Sequence, residues 1–467
     1  MGALVGYGTY LPHHRLRRTA IGAALGSSGG QGSRSVASYD EDSTSMAVEA
    51  GRSVLRRHDV RDVDIVFATT SPAYLEKGNA TGIHAALDLP MTTAAWDLVG
   101  SVRTASAALA LGAADGDRLV LLSDRRTGLP GGADESGGGD AAVALLFGDG
   151  PALLEVLGSA SETVEVLERW RLPGDPQASV WEERFGEHVL VPLARRCIDA
   201  ALSAAGVDIA GVDHLVVSGP PAKVVNRLVA AVGAHSSTGE LLRSVGDAGI
   251  AAGALGLADV LDRAAPGEVV VVATVADGVD VHVYRTTLAL ADYDRPTAVR
   301  TQIDATDDAL DYTTFLTWTG QLRREPPRRP DPARPAAPPS FRQDAWKFAF
   351  RAGRCEECGL RHLPPQRVCN RCQSVDRSVE ERLADVPATI VSYTVDRLAH
   401  SLAPPVIAAV LDFDGGGRFQ CELTDVGADE VQIGDRVQMT FRRLYTGGGV
   451  HNYFWKARPL VQSAAAV

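Results

Sequence analysis

The chain has 467 residues, 45% of them hydrophobic and 22% charged, with a formal net charge of −12. That length exceeds one ordinary hydrophobic core, so two or more domains are expected. The acidic balance lacks the basic excess that a phosphate backbone demands, and no apolar run reaches a membrane span. Nucleic acid and membrane are therefore poor default partners. The first twelve residues carry no basic stretch followed by an apolar core, and a cytoplasmic location is expected.

The elements follow in chain order. Residues 5–16, VGYGTYLPHHRL, read as an opening strand and turn, and 40–51, DEDSTSMAVEAG, as the start of a helix. Residues 53–72 and 202–221 share one plan: a helix end, a Val-Asp turn, then an apolar strand that stops at a proline. Asp64 matches Asp213, and Pro72 matches Pro221. A second pair, 96–123 and 243–274, runs from a Gly-containing turn through a helix of Ala, Gly and Leu to another strand. Small residues let such a helix lie buried between sheets. The apolar runs 119–122 and 268–273 suit strands covered on both faces. Alternating strands and helices point to α/β layers in two similar halves.

Residues 324–340, REPPRRPDPARPAAPPS, are too rich in Pro and Arg to form a core and read as an extended linker. Beyond it, Cys355, Cys358, Cys369 and Cys372 are spaced C-x2-C-x10-C-x2-C. Two such knuckles aim four thiolates at one point, the shell that Zn²⁺ prefers, and leave no open position for chemistry. Five β-prone segments follow, 388–397, 405–413, 417–424, 435–444 and 452–458, punctuated by Gly-rich turns. Five short strands suggest an OB-type barrel. Tyr453, Phe454, Trp455 and Lys456 could form a stacking platform for single strands. However, residues 341–467 hold 16 Lys/Arg against 15 Asp/Glu, which favours core or interface instead.

Over residues 1–320 the chain resembles the thiolase superfamily of the 3-hydroxy-3-methylglutaryl-CoA synthase and ketoacyl-ACP synthase III type, on 5–16, 40–51 and 69–89 (TTSPAYLEKGNATGIHAALDL). The C-terminal part is similar to the zinc-ribbon/OB proteins that accompany thiolases, on 404–418 (PPVIAAVLDFDGGGR) and 451–459 (HNYFWKARP). The expected architecture is a duplicated five-layered α/β domain at 1–323 and a linker at 324–340. A rubredoxin-like zinc ribbon at 341–380 and a five-stranded OB barrel at 381–467 follow. The resemblance implies an acyl-CoA ligand, structural Zn²⁺, a homodimer, and a separate thiolase-like partner chain joined through the ribbon and barrel.

The resemblance also says where catalytic residues belong. The family nucleophile falls five residues after an Asp at a helix start, which from Asp97 is Val102. A valine cannot be acylated. The family Glu position is Thr70, the His position falls at Ser218 in SGPPAK, and the Asn position is Asp247 after Gly246. Lys223 ends the SGPPAK motif and is the expected contact for a CoA phosphate, as a point charge. Acyl-cysteine chemistry is therefore not expected. One reading is a catalytically silent scaffold. Another is an aldolase or retro-aldolase, which needs only a base and oxyanion donors, with Asp247, Ser218 or Tyr74 as candidates. A third keeps acyl transfer with an acyl group delivered by a partner. Asp247 also reads as a helix N-cap, and Tyr74 as a packing residue.

Overall fold

The computed structural model describes residues 2–460 except Ser28, Asp59, Asp115, Pro220 and Arg329, and leaves the side chain of Glu183 undescribed. It divides into two compact units. The first comprises Met1–Ser38, Asp42–Thr81 and Pro90–Leu322; the second comprises Tyr39–Glu41, Gly82–Leu89 and Arg323–Val467. No helix among the described residues is long and apolar enough to cross a membrane.

The first unit opens with β1 (Ala3–Tyr10), the hairpin-like pair β2 (His14–Arg17) and β3 (Ser33–Val36) around α1 (Arg18–Leu25), and α2 (Ser43–Leu55). Then come β4 (Asp64–Thr69), α3 (Ala80–Ala86, which from Gly82 on belongs to the second unit), β5 (Ala95–Val99), α4 (Thr104–Gly112), β6 (Arg118–Asp124), α5 (Ala133–Gly137) and β7 (Ala141–Gly148). The sheet order is β1-β7-β6-β4-β5, with β4 parallel to both β5 and β6. α2 begins on a reciprocal cap: the Asp42 side chain accepts from Ser45 N at 2.9 Å, and Ser45 Oγ accepts from Asp42 N at 2.9 Å.

The second half repeats the plan. It contains β8 (Leu154–Thr163), the short pair β9 (Arg169–Trp170) and β10 (Ser179–Val180), α6 (Glu183–Ala205), β11 (His214–Ser218) and α7 (Ala222–Val232). It continues with α8 (Thr238–Ser244), α9 (Ala252–Leu261), β12 (Val269–Val275) and β13 (Gly278–Thr286), and closes with α10 (Val299–Asp304) and α11 (Tyr312–Trp318). Its sheet order is β11-β12-β13-β8, with the same directions as β4-β6-β7-β1. Each of the paired aspartates accepts from a backbone N–H at a neighbouring strand's start, but on different neighbours: Asp64 from Ala94 N before β5 at 2.8 Å, and Asp213 from Val269 N of β12, the counterpart of β6, at 2.7 Å. The counterpart of β5 is reduced to one parallel bridge, His214 to His235.

α2 and α6 cover the outer faces, and the two central helices lie on the inner ones, which gives the five layers. The helices differ in burial. Every residue of α9 but Ala252 is buried, and a Cβ at Gly256 would come within 2.6 Å of Val216 Cγ1, so that glycine sets the helix–sheet distance. In α4 only Ala105, Ala108 and Gly112 are buried, and Leu111 is 44% exposed, so the expectation of two equally buried helices holds for α9 alone.

In the second unit the ribbon sheet has β14 (Arg351–Cys355) between β15 (Arg361–His362) and β16 (Ser378–Arg382). The 324–340 stretch is not extended throughout, because Ala337–Arg342 form a short helix with proline in its first turn. β17 (Ala388–Asp396), β18 (Val406–Phe413), β19 (Arg418–Glu422), β20 (Arg436–Gly447) and β21 (Val450–Pro459) make a sheet of order β19-β18-β17-β20-β21. A parallel bridge from Leu423 to Ala457 brings its two ends together into a barrel.

The aromatics of β21 are packed on both faces: Tyr453 and Trp455 share the inner one, and Phe454, half-buried on the other, packs against Trp346 and Phe419. Tyr453 is 6% and Trp455 1% exposed, and Trp455 Nε1 donates to Phe348 O at 2.9 Å, so these residues are core and not a stacking platform. Lys456 Nζ is buried and lies 2.9 Å from both Asp40 Oδ2 and Glu422 Oε2. Arg442 is buried between Asp40, Glu41 and Asp425. Burial alone would raise the Asp40 carboxyl; Lys456 and Arg442 outweigh it and hold it low.

Candidate functional site

The turn that joins β5 to α4 carries Val102, half-buried, with its carbonyl accepting from Ala105 N at 3.1 Å. The next residue closes this helix start. Arg103 Nε donates to Asp280 Oδ2 at 2.8 Å and Nη2 to Asp280 Oδ1 at 3.1 Å. Its Nη1 donates to Asp277 O at 2.7 Å, and Nη2 also reaches Ser161 Oγ at 3.0 Å. The guanidinium thus staples α4 to the turn between β12 and β13. Burial raises the Asp280 carboxyl, but hydrogen bonds from Arg103 and Ser161 outweigh it and hold it below the ordinary range. Cys197, in α6, is no substitute nucleophile. Burial pushes its thiol up to about 11, and its Sγ faces Val279 O at 3.5 Å.

Thr70 lies at the end of β4, against a carboxylate at the end of the neighbouring β6. Asp124 accepts from Thr70 N at 2.6 Å, Thr70 Oγ1 at 2.8 Å, Thr69 Oγ1 at 3.0 Å and Ile250 N at 2.8 Å. A Cβ at Gly249 would meet Asp124 Oδ2 at 2.2 Å, so only glycine admits the carboxylate there. Burial raises the Asp124 carboxyl above its usual range, although Arg126 and these donors oppose the shift. Asp124 was not picked out by motif spacing. The available signal was an Asp ending a strand that is otherwise apolar.

Asp247 sits two residues from that glycine. Its Oδ1 accepts from Gly249 N at 3.0 Å, a local cap, and its Oδ2 lies 3.4 Å from Arg126 Nη2. Burial pulls the Arg126 guanidinium down, but Asp247 and Asp124 more than restore it. Gly246, with φ of 96°, makes the turn, and a Cβ there would meet Gly138 O at 2.2 Å. Asp247 and Ser218 line one small cleft with Gly219, Thr238, Gly246 and Gly256. Ser218 Oγ, buried, shares a hydrogen bond with Thr274 Oγ1 at 3.3 Å.

The other two candidates do not themselves line this cleft. Tyr74 is half-buried in a loop that Asn79 clasps, accepting from Tyr74 N at 2.9 Å and donating to Tyr74 O at 3.0 Å. Lys223 is exposed in the first turn of α7.

In the ribbon, Cys355 Sγ lies 3.6 Å from Cys372 Sγ, and Cys358 Sγ 3.5 Å from Cys369 Sγ. All four sulfurs fall within 4.8 Å of one another. A tetrahedral shell with Zn–S near 2.3 Å has sulfur–sulfur edges of roughly 3.8 Å, so the four could hold Zn²⁺ with little adjustment. Backbone N–H groups of Cys372 and Arg371 pull the Cys369 thiol down to about 5, whereas at Cys358 the Leu360 N–H is outweighed by burial and the neighbouring cysteines, which push that thiol up to about 11, so the thiols share protons until a metal displaces them.

Comparison with known proteins agrees with these layers. Residues 380–442 match the family described as the ChsH2 C-terminal OB-fold domain. The hydroxymethylglutaryl-CoA synthase of Picrophilus torridus is 26% identical over 343 residues, covering 68% of this chain and 96% of its own. A DUF35 domain-containing scaffold protein of Methanocaldococcus jannaschii is 25% identical over 126 residues, covering 26% of this chain and 89% of its own. The solved structure of MvaS in complex with 3-hydroxy-3-methylglutaryl coenzyme A superposes with a TM-score of 0.58 at 19% identity, covering 71% of this chain and 94% of that one. The chain is therefore a hydroxymethylglutaryl-CoA-synthase-like thiolase fold fused to an OB-fold domain of the ChsH2 type.

Proposed function

We propose that this chain is a non-acylating subunit of an acyl-CoA carbon–carbon bond-forming or bond-cleaving assembly. Its first domain (1–323) binds the thioester. The linker (324–340), zinc ribbon (341–380) and OB domain (381–467) recruit a separate thiolase-like chain. The observation that carries this reading is the start of α4. Val102 offers no nucleophile, and Arg103 is committed to Asp280 and Asp277 where a thiolate and its oxyanion donors would have to operate. The scaffold description of the M. jannaschii relative supports the recruiting role of the C-terminal part. The four-cysteine shell, closed and without a vacant ligand position, is structural Zn²⁺. Lys223 meets a CoA phosphate at the mouth. A homodimer is supported by the outer strand β5, where Trp96 is 46% and Val99 44% exposed.

Intact-mass spectrometry after incubation with short and long acyl-CoAs tests the reading. No covalent adduct is expected, while calorimetry should report acyl-CoA binding that weakens in Lys223→Ala. An acyl adduct on residues 1–323, or no binding of any acyl-CoA with or without the partner, would overturn it. Native co-purification should recover a thiolase-like chain with the full protein and lose it on removal of residues 341–467.

One observation favours a second reading, retro-aldol cleavage of a 3-hydroxyacyl-CoA: Asp247 and Ser218 share a cleft. There a carboxylate base would take the hydroxyl proton while polar donors hold the enolate oxygen. Under this reading Asp247→Asn lowers turnover roughly a hundred- to ten-thousand-fold. Under the silent-subunit reading it leaves the activity of the assembly unchanged.

A further inference from the structure

We propose a second metal site in the first unit, formed by His13, His14 and Asp307 and independent of the ribbon cysteines. The ligand atoms of these three residues all lie within 4.8 Å of one another. His14 Nδ1 is 3.8 Å from Asp307 Oδ2. Two ligands on one tetrahedral ion with bonds of about 2.1 Å sit roughly 3.4 Å apart. Closing the site therefore needs side-chain shifts of about an ångström or less, within the reach of small χ adjustments.

The backbone holds the three together. Arg15 N donates to Asp307 O at 2.6 Å, and Asp307 N donates to His13 O at 2.8 Å. This is a parallel bridge between the start of β2 and the loop after α10. The side chains are aimed as well. Asp307 Oδ1 accepts from Ala309 N at 2.9 Å, which turns Oδ2 toward His14. The Trp318 ring packs edge-on against His14 at 5.0 Å, and the two imidazoles sit 4.8 Å apart. Outer contacts of this kind are what fix ligand orientation in metal sites. Arg17 is bound two-fold by Asp308 at 2.9 and 2.7 Å and reaches Asp307 only through its charge, with no hydrogen bond to it. His14 is 19% and Asp307 44% exposed, so an ion enters from solvent.

Two imidazoles and one carboxylate suit a borderline divalent first-row ion such as Zn²⁺, Co²⁺ or Ni²⁺. Three protein ligands leave the remaining positions to water or a small anion, unlike the closed four-sulfur shell. The bound ion would brace the turn between β1 and β2 against the loop that leads into α11.

The test uses the full chain, its ribbon first filled with one equivalent of Zn²⁺, then titrated with Co²⁺. A second equivalent should bind with weak visible absorption and no sulfur-to-cobalt charge-transfer band. Elemental analysis after gel filtration should then give two metals per chain. Loss of an outer-shell partner costs roughly 10–100-fold in metal affinity, so Asp307→Asn and His14→Ala should each cost at least that for the second ion. Asp308→Asn should leave it in place. His13→Ala repeats the measurement on another ligand should Asp307→Asn fail to fold. One metal per chain in the wild type would overturn the proposal, leaving a His–carboxylate pair only. So would a second ion with a thiolate band, or one that survives Asp307→Asn in folded protein.

Discussion

The two halves of the first unit share strand order and direction, yet they spend their central helices differently. α9 is core: nine of its ten residues are buried between sheets, and its glycines admit the neighbouring strand. α4 packs by one face and leaves Leu111 to solvent, with its start held by an ion pair to the opposite half. The second half also lacks a full partner for β5 and keeps only the bridge at His235. Duplicated topology therefore does not duplicate burial. The half that keeps the outer strand also carries the turn before α4, and there Arg103 braces the helix start against the other half.

The largest expected effect tests the burial contrast. Leu261 in α9 is 0% exposed, so Leu261→Ala should destabilise the first unit by about 2–5 kcal/mol in chemical denaturation. Leu111→Ala in α4 should stay within about 0.5 kcal/mol. Equal losses would show that α4 is covered in solution, as a dimer would cover it.

The staple comes next. The side chains of Arg103 and Asp280 are 18% and 12% exposed. Arg103→Ala should therefore cost about 2–3 kcal/mol, somewhat less than the roughly 3–5 kcal/mol of breaking a fully buried pair. Asp280 is held low in the folded chain, so the pair's contribution is present above the unfolded Asp value of about 3.9 and is lost as pH falls through the lower folded value. The stability gap between wild type and Arg103→Ala should be flat from about pH 7 to 5 and shrink below about pH 4. A gap that persisted there would mean that the arginine acts by packing alone.

The outer helices sharpen the comparison further. α2 starts on the Asp42–Ser45 cap, whereas α6 follows Glu182 with no side-chain cap. Asp42→Ala should cost about 1 kcal/mol, and Glu182→Ala close to nothing. The smallest change is expected from Val102→Cys. Stability should move by less than about 1 kcal/mol, and no condensing activity or acyl adduct should appear in mass spectra, because Arg103 still occupies the helix start. A stable acyl-cysteine in that variant would overturn the expectation that the Arg103 staple prevents acylation at this turn.

Much of the architecture was legible without coordinates. β6 and β12 are continuous apolar runs, and such runs have little choice but to become strands covered on both faces. The cysteine spacing carried the ribbon geometry, because a C-x2-C knuckle is a local structure. The inward face of β18, with Ile407, Ala409, Leu411 and Phe413 alternating, was readable from the two-residue period of a strand. The candidate site was legible only in part. The positions of Val102, Thr70, Ser218 and Asp247 came from resemblance, whereas Asp124 and Arg103 belong to no local motif.

Composition and local period thus determined the α/β layers, the knuckles and the barrel strands, because each is set by residues close in sequence. Tertiary structure decided which small-residue helix is buried, because burial depends on what covers a face and not on what the face is made of. It alone brought Asp124 under Ile250, Arg103 onto Asp280 and Asp307 beside His14. These partners stand more than a hundred residues apart, and a charged side chain's role there is set by the donors and charges that the fold delivers to it.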